Sequence, residues 1–242
     1  MKKRKLRQYF SKEYNEGQDA LRTFIKKNDE EALHHFRVQV KKLQAFVFIE
    51  HDIEGPGGLK KHFKPLRRIF KKAGVMRDAQ LQVVLGIEQH AGKGFVGKQR
   101  KEMKDNAHDF RSHGRIYLRR ASKSKQRMGK DIKSLTAENI QTFYEEKLHW
   151  IAGHINNEIE DLHACRKQIK ILIYNYKFSC KALKQPINKD YLKELEKAIG
   201  DWHDINLALE IYPALQEKEQ VLLKRVHSLT TDFYKRAVST TV

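Results

Sequence analysis

The chain has 242 residues, of which 40% are hydrophobic and 33% charged, with only four prolines. That balance excludes a disordered or low-complexity protein and leaves room for a substantial core, as one large domain or two joined halves. The formal net charge of +19 and a pI near 9.8 imply a polyanionic partner: nucleic acid, an anionic membrane surface or a phosphate polymer.

Met1 to Lys27 reads as a basic helix with Leu6, Tyr9, Phe10, Leu21, Phe24 and Ile25 on its apolar side and Gly17 as a weak point. No apolar segment follows its charged start, so no signal peptide is expected, and no run in the chain is apolar enough to insert into a membrane. Asn28-Asp29-Glu30-Glu31 supplies an N-cap and an acidic first turn for a second helix, reaching about Asp52. On it, Leu33, Phe36, Val40, Leu43 and Val47 recur at the spacing of a buried stripe. One residue later in phase, His34, Arg37, Lys41 and Gln44 form a cationic stripe about 100° around the axis. Val38, Ala45 and Ile49 lie beyond it, so the basic line runs between two apolar strips. A merely solvated face would sit opposite one apolar strip; this pattern suits a helix that lines a positively charged groove.

Gly55-Pro56-Gly57-Gly58 is a loop. Leu59 to Ala73 is predicted helical, burying Leu59, Phe63, Leu66, Phe70 and Ala73 beside a flanking line of Lys60, Lys64, Arg67 and Lys71. Pro65 should start or kink this helix, and Gly74 should end it, with Asp78 early in the next helix to about His90. After the loop Ala91-Gly92-Lys93-Gly94, residues 96–133 are helical in propensity and crowded with cations, and Ser112, Gly114 and Gly129 argue against one continuous helix.

Thr136 caps a helix through Trp150 and Ile155. A second basic helix covers about Glu158 to Leu183 and closes at Gln185-Pro186. Cys165 and Cys180 lie on it about 22 Å apart at 1.5 Å per residue, so they cannot pair with each other. Two reduced thiols point to a reducing, cytoplasmic compartment. Asp190 to Ile199 is a short helix ended by Gly200, then come Trp202 to Tyr212 and a closing helix from about Ala214 to Ala237. No alternating strand pattern occurs. The expected fold is all-α: ten helical segments in two bundles related by pseudo-two-fold symmetry, a single domain of two repeats, about 1–134 and 135–242.

The duplication is visible in the residues. His163, Arg166 and Lys170, with Lys177 two turns on, repeat the cationic phase of the first basic helix. His34, Arg37 and Lys41 each find their counterpart 129 residues later. Leu162, Cys165, Ile169, Leu172 and Tyr176 repeat the core phase. Gly74-Val75-Met76-Arg77-Asp78 and Gly200-Asp201-Trp202-His203-Asp204 match at an offset of 126. Two motifs in one order at nearly one offset indicate an internal repeat. Arg offers phosphate a planar fork of donors, Lys a mobile point charge, and His a donor whose charge changes near neutrality. At one-turn intervals they suit a ligand with repeated phosphates. Arg77 and His203 add positive charge near the same groove.

Catalytic motifs are absent: there is no HExxH, CxxC, GxGxxG or P-loop, and no paired carboxylates at helical spacing within a cleft-like segment. Twelve histidines raise the question of metal, but His34 and His163 stand in cationic stripes without a carboxylate. No enzyme activity, cofactor or metal is therefore expected. The competing expectation is a nucleic-acid (RNA) binding protein using the same basic surfaces, the 96–133 segment above all, although only Phe110 and Tyr117 interleave with its cations.

Together, His34-x-x-Arg37-Val38-x-x-Lys41-Lys42-Leu43 and His163-x-x-Arg166-Lys167-x-x-Lys170, each followed by Gly-x-x-[Arg/His]-Asp, resemble the CHAD family, the conserved histidine α-helical domain. The resemblance covers nearly the whole chain. It implies two four-helix bundles around a basic central groove that binds inorganic polyphosphate, and association with polyphosphate granules. His34, Arg37, Lys41, His163, Arg166 and Lys170 take the family's binding positions. Lys64, Arg67, Lys71, Arg77, Lys177 and His203 complete the expected site. Gln44 and Ile173 stand where the family pattern usually has a further Arg, and Lys41-Lys42 replaces the commoner Arg pair.

Overall fold

The computed structural model describes residues 1–238, and every regular element among them is helical. Residues 239–242, the end of the expected second repeat, lie outside the described residues. The chain divides into two compact units, one of residues 2–134 and one of residues 135–242 with Met1.

The first unit holds α1 (Lys3–Lys27), α2 (Glu30–Glu54), α3 (Gly58–Glu88), α4 (Lys93–Ser112) and α5 (Gly114–Asp131). The α1–α2 corner is made by two residues. Asn28 takes a left-handed φ of 56° and returns its N–H to Phe24 O, and the Asp29 carboxylate caps α2 by accepting from Ala32 N at 3.1 Å. Gly17 does not break α1. A Cβ there would lie 3.2 Å from Gln39 Cβ, so its small size lets α1 and α2 approach. Between them, fully buried Glu13 accepts from Lys42 at 3.0 Å. Phe10, Tyr14 and Phe46 form an aromatic layer, and the Tyr14 hydroxyl donates to Ala121 O at 2.9 Å, tying α1 to α5.

Two expected boundaries are corrected in α3, which runs for 31 residues: it does not start at Pro65, and it does not end at Gly74. Pro65 removes one helical hydrogen bond, a loss of about 3 kcal/mol. Leu59, Phe63, Leu66 and Ile69, all buried around it, outweigh that loss. Gly74 stays within the helix, and the Arg37 side chain of α2 crosses it. The 96–133 segment is two helices parted at His113, where buried Gly114 lets α5 start against Ile25. Gly129 stays within α5.

The second unit holds α6 (Ala137–His154), α7 (Asp161–Ser179, followed by a 3-10 turn, Cys180–Ala182), α8 (Lys189–Ala208), α9 (Gln216–Thr230) and α10 (Phe233–Val238). Thr136 caps α6 by accepting from Asn139 N, and Asn188 caps α8 by accepting from Tyr191 N. Tyr144, buried on α6, reaches α7 through Leu172 O at 3.0 Å and the Ser179 hydroxyl at 2.8 Å. Here too a predicted stop fails, because α8 continues through Gly200 to Ala208. The predicted closing helix is divided. The Thr230 and Thr231 hydroxyls donate to His227 O, competing with the helical ladder, and Asp232 turns left-handed at φ 53° before α10. Both cysteines are free thiols. Among the described residues no helix is long and apolar enough to cross a membrane.

Candidate anion-binding site

Packing fixes the rotation of α2. Leu33, Phe36, Val40, Leu43 and Val47 are each 6% exposed or less, and Ala45 and Ile49 are buried beyond the cationic line. That leaves His34 and Gln44 exposed and Arg37 and Lys41 half-buried. Arg37 crosses onto α3. Its Nη1 donates to Phe70 O at 3.2 Å, its guanidinium lies 4.6 Å from the centroid of the Phe70 ring, and it passes over Gly74, where a Cβ would stand 3.0 Å from Nη1. The glycine is a notch for the arginine. Arg37 shares a pocket with His34, Met76, Arg77, Gln80 and Lys104. Burial lowers its pKa most, Asp78 opposes that, and Arg77 adds to it; a guanidinium remains charged throughout.

The same device recurs in the second unit. Leu162, Cys165, Ile169 and Leu172 pack α7 inward, and fully buried Asn175 joins them where the core phase named Tyr176, which is half-buried. Arg166 Nε donates to Glu196 O at 3.2 Å, and a Cβ on Gly200 would lie 2.8 Å from Arg166 Cζ. In each unit the accepting carbonyl is four residues before the notched glycine. The side chain at that carbonyl differs. Phe70 gives Arg37 an aromatic face, whereas the Glu196 carboxylate takes an ion pair from Arg166 at 2.9 Å and from Lys170 at 2.7 Å. His163 and His203 face each other, ring centroids 4.3 Å apart. Burial, then Lys167, His203, Arg166 and Lys170, hold His163 down at about 4, so it is neutral near pH 7. His203 is lowered mainly by burial, with Asp204 opposing and Arg166 and Lys167 reinforcing.

The expected residues thus fall into groups. His34, Arg37 and Arg77 line one pocket in the first unit, while His163, Arg166, Lys170 and His203 cluster in the second. Lys41 is half-buried on α2. Lys64 and Arg67 stand exposed on α3, and Lys177 is exposed on α7. Lys71 lines a different cleft, toward α5. Sequence reasoning missed Glu196, Lys104 and Tyr174. The Tyr174 hydroxyl is pushed up to about 12 by burial and by Glu196, with Arg166 opposing. Glu196 had one signal, its place four residues before Gly200, but only the pairing of α7 with α8 brings it to the cations. In the 96–133 segment, Phe110 and Tyr117 are 2% and 8% exposed and pack on each other at 4.8 Å, so neither offers a face to a nucleic-acid base. Among the described residues no three or more His, Cys, Asp or Glu gather as metal ligands. The arrangement supplies positioned cationic donors for an anion.

Comparison with known proteins bears on the family and the fold. A family model, the CHAD domain, matches residues 8–212. Among solved structures, the CHAD domain from the plant Ricinus communis superposes with a TM-score of 0.67 over 96% of this chain and 84% of that one, at 14% identity, a likeness of fold. No curated protein matches the chain.

Proposed function

Because the chain belongs to the CHAD domain family, we propose that it binds inorganic polyphosphate, without turning it over, through the Arg37 and Arg166 clusters of its two units. The observation that carries the reading is the repeated seating of an arginine on a helix carbonyl beside a notched glycine. That seating holds part of each guanidinium in place and keeps it charged, and a positioned guanidinium suits a charge-assisted phosphate contact, although at Arg166 the Glu196 carboxylate takes a further N–H. The +19 surplus supports the same partner. Binding without hydrolysis is supported by the character of the groups: the donors are mostly positive, and Glu196, the carboxylate in direct contact with Arg166, is already held by Arg166 and Lys170. A cytoplasmic place, at polyphosphate granules, belongs to this proposal.

The test is a competition between long-chain polyphosphate and RNA at matched phosphate concentration, repeated at two salt concentrations. The expected result is displacement of RNA by polyphosphate and an affinity that falls steeply with salt, as counterion release demands. RNA that holds its place, or binding indifferent to salt, contradicts the reading. Incubation with polyphosphate and magnesium should release no phosphate; release that a point substitution in this chain abolishes would make it an enzyme.

A further inference from the structure

A second cationic surface lies on α3, turned away from the Arg37 contact. Lys61, Pro65, Arg68, Lys72 and Val75 follow one another at three- and four-residue steps, a line about 21 Å long at 1.5 Å per residue. Arg68 and Lys72 are each two residues from the Phe70 and Gly74 that hold Arg37, about 200° around the helix. Across from this line α5 brings Arg120, Lys123 and Arg127, and the two helices enclose a cleft of about 870 Å³. With Lys71 the cleft has seven Lys and Arg side chains and no carboxylate. None of the seven has an ion pair or hydrogen bond with a described residue; beside them in the lining, His62 lies 3.5 Å from Asp131. Elsewhere in the same unit, cations find carboxylates, as Lys42 does in Glu13 and Lys133 in Glu54.

We propose that this α3–α5 cleft is a second polyanion site, specific to the first unit, for a linear inorganic phosphate chain. Like charges at one-turn spacing repel one another, so an uncompensated row gains most from an anion with the same repeat. The cleft is not part of the duplicated site. The positions 126 residues after Lys61, Arg68 and Lys72 are Ile187, Glu194 and Ala198, none of them basic, and of the α3 cations in the cleft Lys71 alone finds a basic counterpart, Lys197. Its lining recognises charge and little else. Tyr117 is buried against Phe110 and His113, and the Ser124 hydroxyl is committed to His62 O at 2.5 Å. Without a free aromatic face or a base-reading amide, a bare phosphate chain fits it better than RNA.

The test compares three forms of the full chain against long-chain polyphosphate: wild type, a cleft variant (Arg68→Gln, Lys72→Gln, Arg120→Gln, Arg127→Gln) and a control (Lys98→Gln, Arg100→Gln, Lys101→Gln, Arg115→Gln). All eight side chains are exposed, so the fold should survive, which circular dichroism checks. A milder pair, Lys72→Gln with Arg127→Gln, repeats the test should the four together disturb it. The cleft variant should lose at least tenfold in affinity and flatten the salt slope by about three, and the control should lose several-fold less. Equal losses in cleft variant and control, or no loss in the cleft variant, overturn the proposal. So does a larger loss for single-stranded oligouridylate than for polyphosphate. Loss in the cleft variant with none in Arg37→Ala or Arg166→Ala would uphold the cleft and overturn the duplicated site instead.

Discussion

Arg37 and Arg166 hold equivalent places but differ in their company, and that difference sets their expected energetics. Arg166 and Lys170 already share the Glu196 carboxylate, whereas Arg37 rests on the Phe70 ring. A phosphate entering the second unit must compete with a carboxylate that is itself only about one-fifth exposed. Glu196→Gln should therefore raise polyphosphate affinity several-fold, by about 1 kcal/mol, since it releases two cations while keeping the side chain's shape. Titration calorimetry reads this directly, and unchanged or weakened binding would remove Glu196 as a competing anion. His163 gives a pH signature. Its folded pKa of about 4 lies below the ordinary value of 6.5, so the unfolded chain takes up a proton that the folded chain refuses. Stability should fall as pH drops from about 6.5 toward about 4, and His163→Gln should flatten that slope in urea melts at stepped pH. Bound phosphate cancels the positive field around the ring, so polyphosphate should move the His163 titration upward, visible in its ring proton shifts. The cationic stripe was legible from periodicity because both stripes of one helix are written in one segment. Glu196 was not, because its role exists only where α8 meets α7.

At the scale of the helices, the two glycines changed meaning between sequence and structure. Gly74 and Gly200 have the local signature of helix ends, yet α3 and α8 run through them. Propensity predicts a stop from the residue's own freedom, while the glycine is retained for the room it leaves the arginine on the neighbouring helix. Gly200→Ala should leave the fold at least as stable, since Ala is favoured in a helix by about 1 kcal/mol and the clash is with a movable guanidinium. It should nevertheless weaken polyphosphate binding by displacing Arg166. Gly74→Ala should displace its arginine less, because its Cβ would meet Arg37 Nη1 at 3.0 Å, whereas a Cβ at Gly200 would clash with Nη2 of Arg166 and lie 2.8 Å from its Cζ. Thermal melts and binding measured on the same samples separate the two effects. A large fall in stability with affinity unchanged would make the glycines purely structural. The all-α character and the α1–α2 corner were legible, because capping residues and apolar periodicity act locally. The division of the closing helix was not, since it depends on threonine hydroxyls choosing the His227 carbonyl over solvent.

For the molecule as a whole, if the two arginine clusters both bind phosphate as proposed, a ligand long enough to use both gains from their covalent linkage. Engaging one cluster raises the effective concentration of the remaining polymer at the other, an advantage that tripolyphosphate cannot exploit. Each arginine should contribute about 1.5–3 kcal/mol as a charge-assisted contact, with Arg37 toward the upper end and Arg166, shared with Glu196, toward the lower. Neither substitution should cost the fold, because Phe36, Val40, Cys165 and Ile169 carry the packing. The decisive measurement is the affinity of Arg37→Ala, Arg166→Ala and the double variant for long-chain polyphosphate and for tripolyphosphate, with helicity checked in each. Both single variants should weaken binding, Arg37→Ala more, and the double variant should lose far more for the long chain than for tripolyphosphate. Loss by the same factor for both ligands, or no loss in either single variant, would contradict binding at both clusters.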